Sequence, residues 1–154
     1  MFHLYSFPWT TWQSVGLLIL RLVVGTAFIL HGLPKIQNPM HWMGDKVNPI
    51  LQLAAAVAEF GGGIALLVGF LTPFAAALIA VDMIFALTLV HFPQHQPFVG
   101  KGGAPNFELP LVYLALMIGL IATGPGRFSL DSLLWGSHNV VIERSEAWSR
   151  SNAA

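Results

Sequence analysis

The chain has no cysteine among its 154 residues. That excludes disulfides, thiolate metal sites, iron–sulfur ligation and any dithiol relay within the chain. Charge is nearly as scarce. Charged residues make up 9% of the sequence, against about 25% in a soluble domain. The seven basic and seven acidic side chains cancel, so no net field draws nucleic acid or holds a polybasic face on lipid. Residues 1–13 lack Lys and Arg, and no small-residue cleavage site closes the apolar run behind them. The first apolar segment is therefore expected to stay in place rather than leave as a signal peptide. The sequence shows no phosphate-binding loop, no metal-ligand spacing, no activated nucleophile and no internal repeat.

Apolar sequence is what the chain has in quantity: 55% of its residues are hydrophobic. Four runs, at about 14–33, 49–69, 73–92 and 107–123, approach the roughly 20 residues a helix needs to cross a bilayer. Asn48-Pro49 and Thr72-Pro73 read as helix starts, a capping residue followed by Pro at the first helical position. The second start follows the second run so closely that spans two and three must be antiparallel neighbours. Asn106 can cap the fourth span, where Pro110 falls in the first turn and Glu108 faces the positive end of the helix. Gly124-Pro125-Gly126 stops that span. Residues 128–135 then alternate apolar and polar at helical spacing, as a short interfacial helix does. The expected fold is all-α: an integral membrane four-helix bundle over residues 1–135 with a C-terminal interfacial amphipathic helix, followed by a polar tail over 136–154. Phe2, Tyr5, Phe7, Trp9 and Trp12 read either as an interfacial aromatic belt or as packing on the bundle end.

Ionisable groups inside such spans cost about 2.5–3.5 kcal/mol each on insertion scales, so they face other helices or a wet cavity. Arg21, Glu59 and Asp82 interrupt the first, second and third spans. Counted at 1.5 Å per residue from each span's end on the terminal side, they fall within about 5 Å of one depth. That predicts a buried polar network, read either as a proton relay or ligand pocket or as a structural ion pair that fixes which helices meet. His31, Lys35, His91 and Glu108 gather at the opposite end, as a polar mouth where histidine can exchange protons near neutral pH or as helix-capping interfacial residues. A bis-histidine haem between His31 and His91 is disfavoured by their place near the interface and the lack of an attachment motif. Gly124, Pro125, Gly126, Arg127 and Asp131 read as a structural turn, with Arg127 near lipid phosphate or the carbonyl end of the fourth helix.

Three stretches carry a family resemblance: Arg21-Leu-Val-Val-Gly25 with His31-Gly-Leu-Pro-Lys35, Glu59-Phe-Gly-Gly-Gly ending at Gly69-Phe-Leu-Thr-Pro73, and Asn106-Phe-Glu-Leu-Pro leading to Gly124-Pro-Gly-Arg-Phe-Ser-Leu-Asp131. Together they cover about residues 17–135 and resemble the DoxX family. Pro34 departs from the usual pattern, where a flexible polar residue is more common.

The resemblance implies a four-helix protein of the bacterial inner membrane, a lipid environment, redox protein partners and, in the DoxD branch, a link to thiosulfate:quinone oxidoreductase. The longer, multi-part architecture of that branch is absent here, so its catalytic label does not carry over. The expected role is a membrane subunit or anchor of an oxidoreductase complex that contacts quinone, either alone or as a homo-oligomer. A non-catalytic scaffold or chaperone and a small-molecule or proton transporter are the alternatives. Arg127, Arg144 and Arg150 on one side balance Lys35, Lys46 and Lys101 on the other. The positive-inside rule is therefore tied, and cytoplasmic termini are expected because a polar tail then need not cross.

Overall fold

The computed structural model describes residues 9–135. Helix α1 runs Thr11–Gln37, α2 Pro49–Val68, and α3 Thr72–Phe85, continuing as a π-helix over Ala86–His91. Helix α4 runs Glu108–Thr123, and a short α5 covers 130–135. No strand occurs among the described residues. Three helices, Thr11–Gln37, Pro49–Val68 and Thr72–His91, are long and apolar enough to cross a membrane. The fourth, with 16 residues, is about 24 Å long and shorter than the roughly 30 Å hydrocarbon layer. The outward faces are mostly apolar, with Val23, Phe74 and Ile118 among the large exposed residues, as expected where lipid replaces water. The expectations for Phe2, Tyr5 and Phe7 and for the polar tail fall outside the described residues.

Local chemistry sets the helix ends. Thr10 caps α1 in a reciprocal box with Gln13, which starts the helix three residues before the apolar run suggested. Pro34 lies within α1, which continues to Gln37. Asn48 caps α2 by accepting the Ile50 N–H at 2.8 Å, and α2 ends on Gly69 at φ 70°, the left-handed conformation that glycine adopts without strain. Helix α4 starts at Glu108, one residue later than expected, with Phe107 at the cap position and no side-chain cap there; Asn106, one residue further out, accepts the Glu108 N–H at 3.1 Å.

The start of α3 departs from the sequence reading. Its cap position is Leu71, at φ 46°, with no local side-chain cap. The cap comes from far along the chain: Asp131 accepts the N–H groups of Leu71 at 2.6 Å and Thr72 at 2.8 Å. The Thr72 hydroxyl does not serve the helix start and is buried without a hydrogen-bond partner.

Glycines set the closest packing. A Cβ on Gly25 would lie 2.9 Å from the Gly63 carbonyl oxygen and the Leu67 nitrogen, and one on Gly32 would lie 2.8 Å from the Phe60 Cα. Small residues let the α1 and α2 backbones touch, the usual basis of helix association in lipid. The core between the helices is built from Val24, Phe28, Leu66, Ala76, Ile79, Met83, Met117 and Leu120. Helix α4 closes against α1 through Phe28 and Tyr113, whose ring centroids are 4.8 Å apart.

Candidate functional site

The glycine contacts fix the register of α1 on α2. Gly25 faces Leu67 and Gly32 faces Phe60, so moving along α1 moves equally far back along α2. Continued by four residues, this register puts Arg21 level with Leu71, at the α2–α3 turn. Glu59 is level with Leu33. Arg21 therefore lies about 18 Å along the bundle from Glu59, and the expected grouping of Arg21 with Glu59 and Asp82 does not form. The depth count treated α1 and α2 as flush at the terminal side, whereas α1 begins about ten residues, or 15 Å, beyond the turn.

Arg21 is fully buried at that end. Its guanidinium packs on Gly69, where any Cβ would overlap it. Nη2 donates to the Phe128 carbonyl, and Asp131 is its opposing charge. The segment 124–131 thus straps the protruding part of α1: the Arg127 N–H donates to Ser14 Oγ at 3.3 Å, and Gly126 lies against Leu17. The glycine-rich motif thus lies against Arg21 and the start of α1. Trp9 ties the same end by donating to the Thr123 carbonyl at 2.9 Å. Arg127 keeps its side chain exposed.

Glu59 has a different cation. Lys35 Nζ lies 2.7 Å from Glu59 Oε2. The approach is that of an ion pair, without the alignment of a directed hydrogen bond. Lys35 also sits over Trp42, 4.3 Å from the ring centroid. On the other side of α2, a Cβ on Gly62 would meet Ile79 at 3.0 Å, and three residues further along each helix Glu59 faces Asp82. The Asp82 carboxyl is within side-chain reach of Glu59, and Lys35 acts on both.

These groups line a cavity of about 320 Å³ between α2, α3 and the loop after α1. The size falls at the lower end of small-molecule sites, roughly 300–1,000 Å³. Lys35, Glu59 and Asp82 form its polar floor, level with the middle of α2 and α3, and His91 and Gln52 lie toward the loop end. The walls are apolar, and Leu51, Leu78, Val81, Phe85 and Leu89 line the cavity while also being exposed on the outer surface. The cavity therefore opens sideways, toward lipid.

The structure thus regroups the sequence candidates. Lys35 and His91, expected at a separate mouth, join Glu59 and Asp82 in one cavity. His31 is exposed on α1 and packs edge-on to Tyr113, 6.4 Å between centroids, and Glu108 is exposed at the start of α4; neither lines the cavity. Among the described residues no group of three or more His, Cys, Asp or Glu is placed to hold a metal ion.

Sequence reasoning missed Gln52. It is 1% exposed and organises the loop over the cavity: Nε2 donates to the carbonyls of Gly44 at 2.7 Å and Val47 at 2.8 Å, and Oε1 accepts the Met43 N–H at 2.8 Å. Its own carbonyl accepts from Trp42 Nε1 at 3.0 Å, which holds that ring over Lys35. The signal was available, since an amide two helical turns before Glu59 lies on the same face of α2.

Together these features define a class: an α-helical membrane bundle with an ionisable cavity open to the bilayer. The comparisons give the family. The DoxX family model matches residues 16–92. The chain is 34% identical over 124 residues to an uncharacterised protein of Haemophilus influenzae, covering 75% of this chain and 88% of that one. It is 34% identical over 128 residues to the inner membrane protein YqjF of Escherichia coli, covering 79% and 94%. It is 29% identical over 126 residues to CatD of Bacillus subtilis, provisionally named an oxidoreductase, covering 79% and 89%. No solved structure matches the chain. The protein belongs to the DoxX family of membrane proteins, and its likeness to YqjF supports the inner membrane as its location.

Proposed function

We propose that this chain is a membrane subunit of an oxidoreductase complex and that its cavity receives a quinone from the bilayer. One observation carries the reading: an ionisable floor of Lys35, Glu59 and Asp82 lies inside apolar walls that face lipid. A quinone matches that distribution. Its ring presents two carbonyl oxygens to hydrogen-bond donors, and its tail is soluble in lipid. In this reading the Lys35 ammonium and a carboxyl proton on the floor meet the ring oxygens, and Leu78, Phe85 and Leu89 accompany the tail. Trp42, pinned through Gln52, supplies an aromatic wall. The electron donor is a partner subunit carrying its own redox cofactor. The provisional naming of CatD as an oxidoreductase agrees in class.

The test is quinone content after purification from native membranes into lipid nanodiscs. The parent protein is expected to retain quinone and to take up added decylubiquinone. Leu78→Trp, which fills the cavity from its lipid side, is expected to abolish both while leaving the melting temperature near the parent value. A parent protein that holds no quinone and binds no decylubiquinone would overturn the reading. A stoichiometric protein partner without any bound ligand would favour a scaffold instead.

A further inference from the structure

The floor of the cavity carries two carboxyls beside one ammonium, so a proton is the smallest charge that balances it. A proton held between the middles of α2 and α3 needs a route to water, and apolar side chains provide none. His91 is the ionisable residue at the loop end of the same cavity. It is the last residue of the π-helical segment Ala86–His91, a deviation from α-geometry that frequently accompanies functional sites. Its Nδ1 lies 2.6 Å from Gln96 Oε1. With the Gln96 amide oriented so that its nitrogen donates to Gln94, its oxygen accepts from His91 Nδ1, which leaves Nε2 as the accepting nitrogen of that tautomer. Gln96 in turn donates from Nε2 to Gln94 Oε1 at 2.7 Å, and its backbone N–H returns to the His91 carbonyl at 3.2 Å. The loop after α3 thus curls back onto the ring and joins it to the surface.

From this placement we infer that His91 exchanges protons between the cavity and the water at the loop side. His91 lies nine residues, about 13 Å, along α3 from Asp82, so Nε2 takes a proton handed along the cavity by water or a bound ligand, and the imidazolium returns one proton to water at the loop. No bond other than N–H and O–H forms or breaks. Among the described residues the other charged groups facing the cavity are Lys35 from α1, Glu59 from α2 and Asp82 from α3; α4 contributes none. This role rests on the cavity being the functional site, but not on the identity of its ligand.

The test is infrared spectroscopy of the full chain in nanodiscs. The C=O stretch of a protonated floor carboxyl is identified as the band that Asp82→Asn or Glu59→Gln removes, and its deuterium exchange is timed after a switch to heavy water. His91→Asn keeps an N–H for Gln96 but cannot take a proton, so a merely structural histidine would tolerate it. Exchange is expected to slow by about 10² or more, the scale a positioned proton-transfer group contributes, with an unchanged melting temperature. Should that variant fail to fold, Gln96→Leu leaves the helix intact and is expected to slow exchange as well. Exchange at the parent rate in the variant that folds, or no such carboxyl band, would overturn the proposal. Loss of decylubiquinone binding in every protein, with exchange still dependent on His91, would instead sink the quinone reading alone.

Discussion

Lys35 at the end of α1 and Glu59 in the middle of α2 form an ion pair at 2.7 Å, with their side chains 22% and 5% exposed. Two helices are locked at one height by this contact, and Asp82 on a third helix shares its cation. Lys35→Met leaves two carboxyls facing each other without a counter-charge. Breaking a buried pair costs about 3–5 kcal/mol, and the partial exposure of Lys35 places the expected loss near 3 kcal/mol. Thermal unfolding in detergent checks this, and Lys35→Met combined with Glu59→Gln is expected to recover much of the loss.

Asp131 is expected to act as a helix cap supplied from the other end of the chain. Asp131→Ala removes the acceptor for the Leu71 and Thr72 N–H groups. The cap alone accounts for about 0.5–2 kcal/mol, and Arg21 loses its opposing charge as well. Asp131→Asn retains one acceptor and is expected to lose less. Hydrogen exchange should rise at Leu71 and Thr72, and protection equal to the parent would refute the role.

Two glycines on adjoining helices should respond oppositely to one added methyl. Gly32→Ala places a Cβ 2.8 Å from the Phe60 Cα, which pushes α1 off α2 and is expected to cost about 1–3 kcal/mol as overpacking. Gly61 has nothing within 4 Å of such a Cβ, so Gly61→Ala is expected to be neutral or to stabilise by up to about 1 kcal/mol. Melting temperatures of the two variants check the contrast.

Gln52→Leu is expected to loosen the loop over the cavity without unfolding the bundle. It strips the Met43 N–H and the Gly44 and Val47 carbonyls of their partner; Gly44 is exposed and Met43 and Val47 are half-buried, so water replaces part of each bond and the expected loss is about 1–3 kcal/mol in all. Faster proteolysis within 38–48, together with changed Trp42 fluorescence, is the expected signature.

The spans were legible because apolar length and Pro-marked starts are local properties. Asn48 and the Gly124–Gly126 stop behaved as their local chemistry dictates. The site was half legible. Glu59 and Asp82 were expected together and lie together, since one short turn joins their helices and fixes their register. Arg21 was misplaced because the α1–α2 register depends on where Gly25 and Gly32 dock, which no count from helix ends contains. The trans cap from Asp131 was hidden for the same reason, as it lies 59 residues from Thr72. Lys35 looked interfacial because its distance from the end of α1 says nothing of the loop that folds Trp42 over it.

Photolabelling with an azido-quinone in native-lipid nanodiscs tests the central claim most directly. Saturable adducts mapped by mass spectrometry are expected on residues 51–59 of α2 and 78–91 of α3, displaced by decylubiquinone and absent in Leu78→Trp. Adducts spread over the lipid faces of α1 and α4, without saturation and unchanged in Leu78→Trp, would contradict the account.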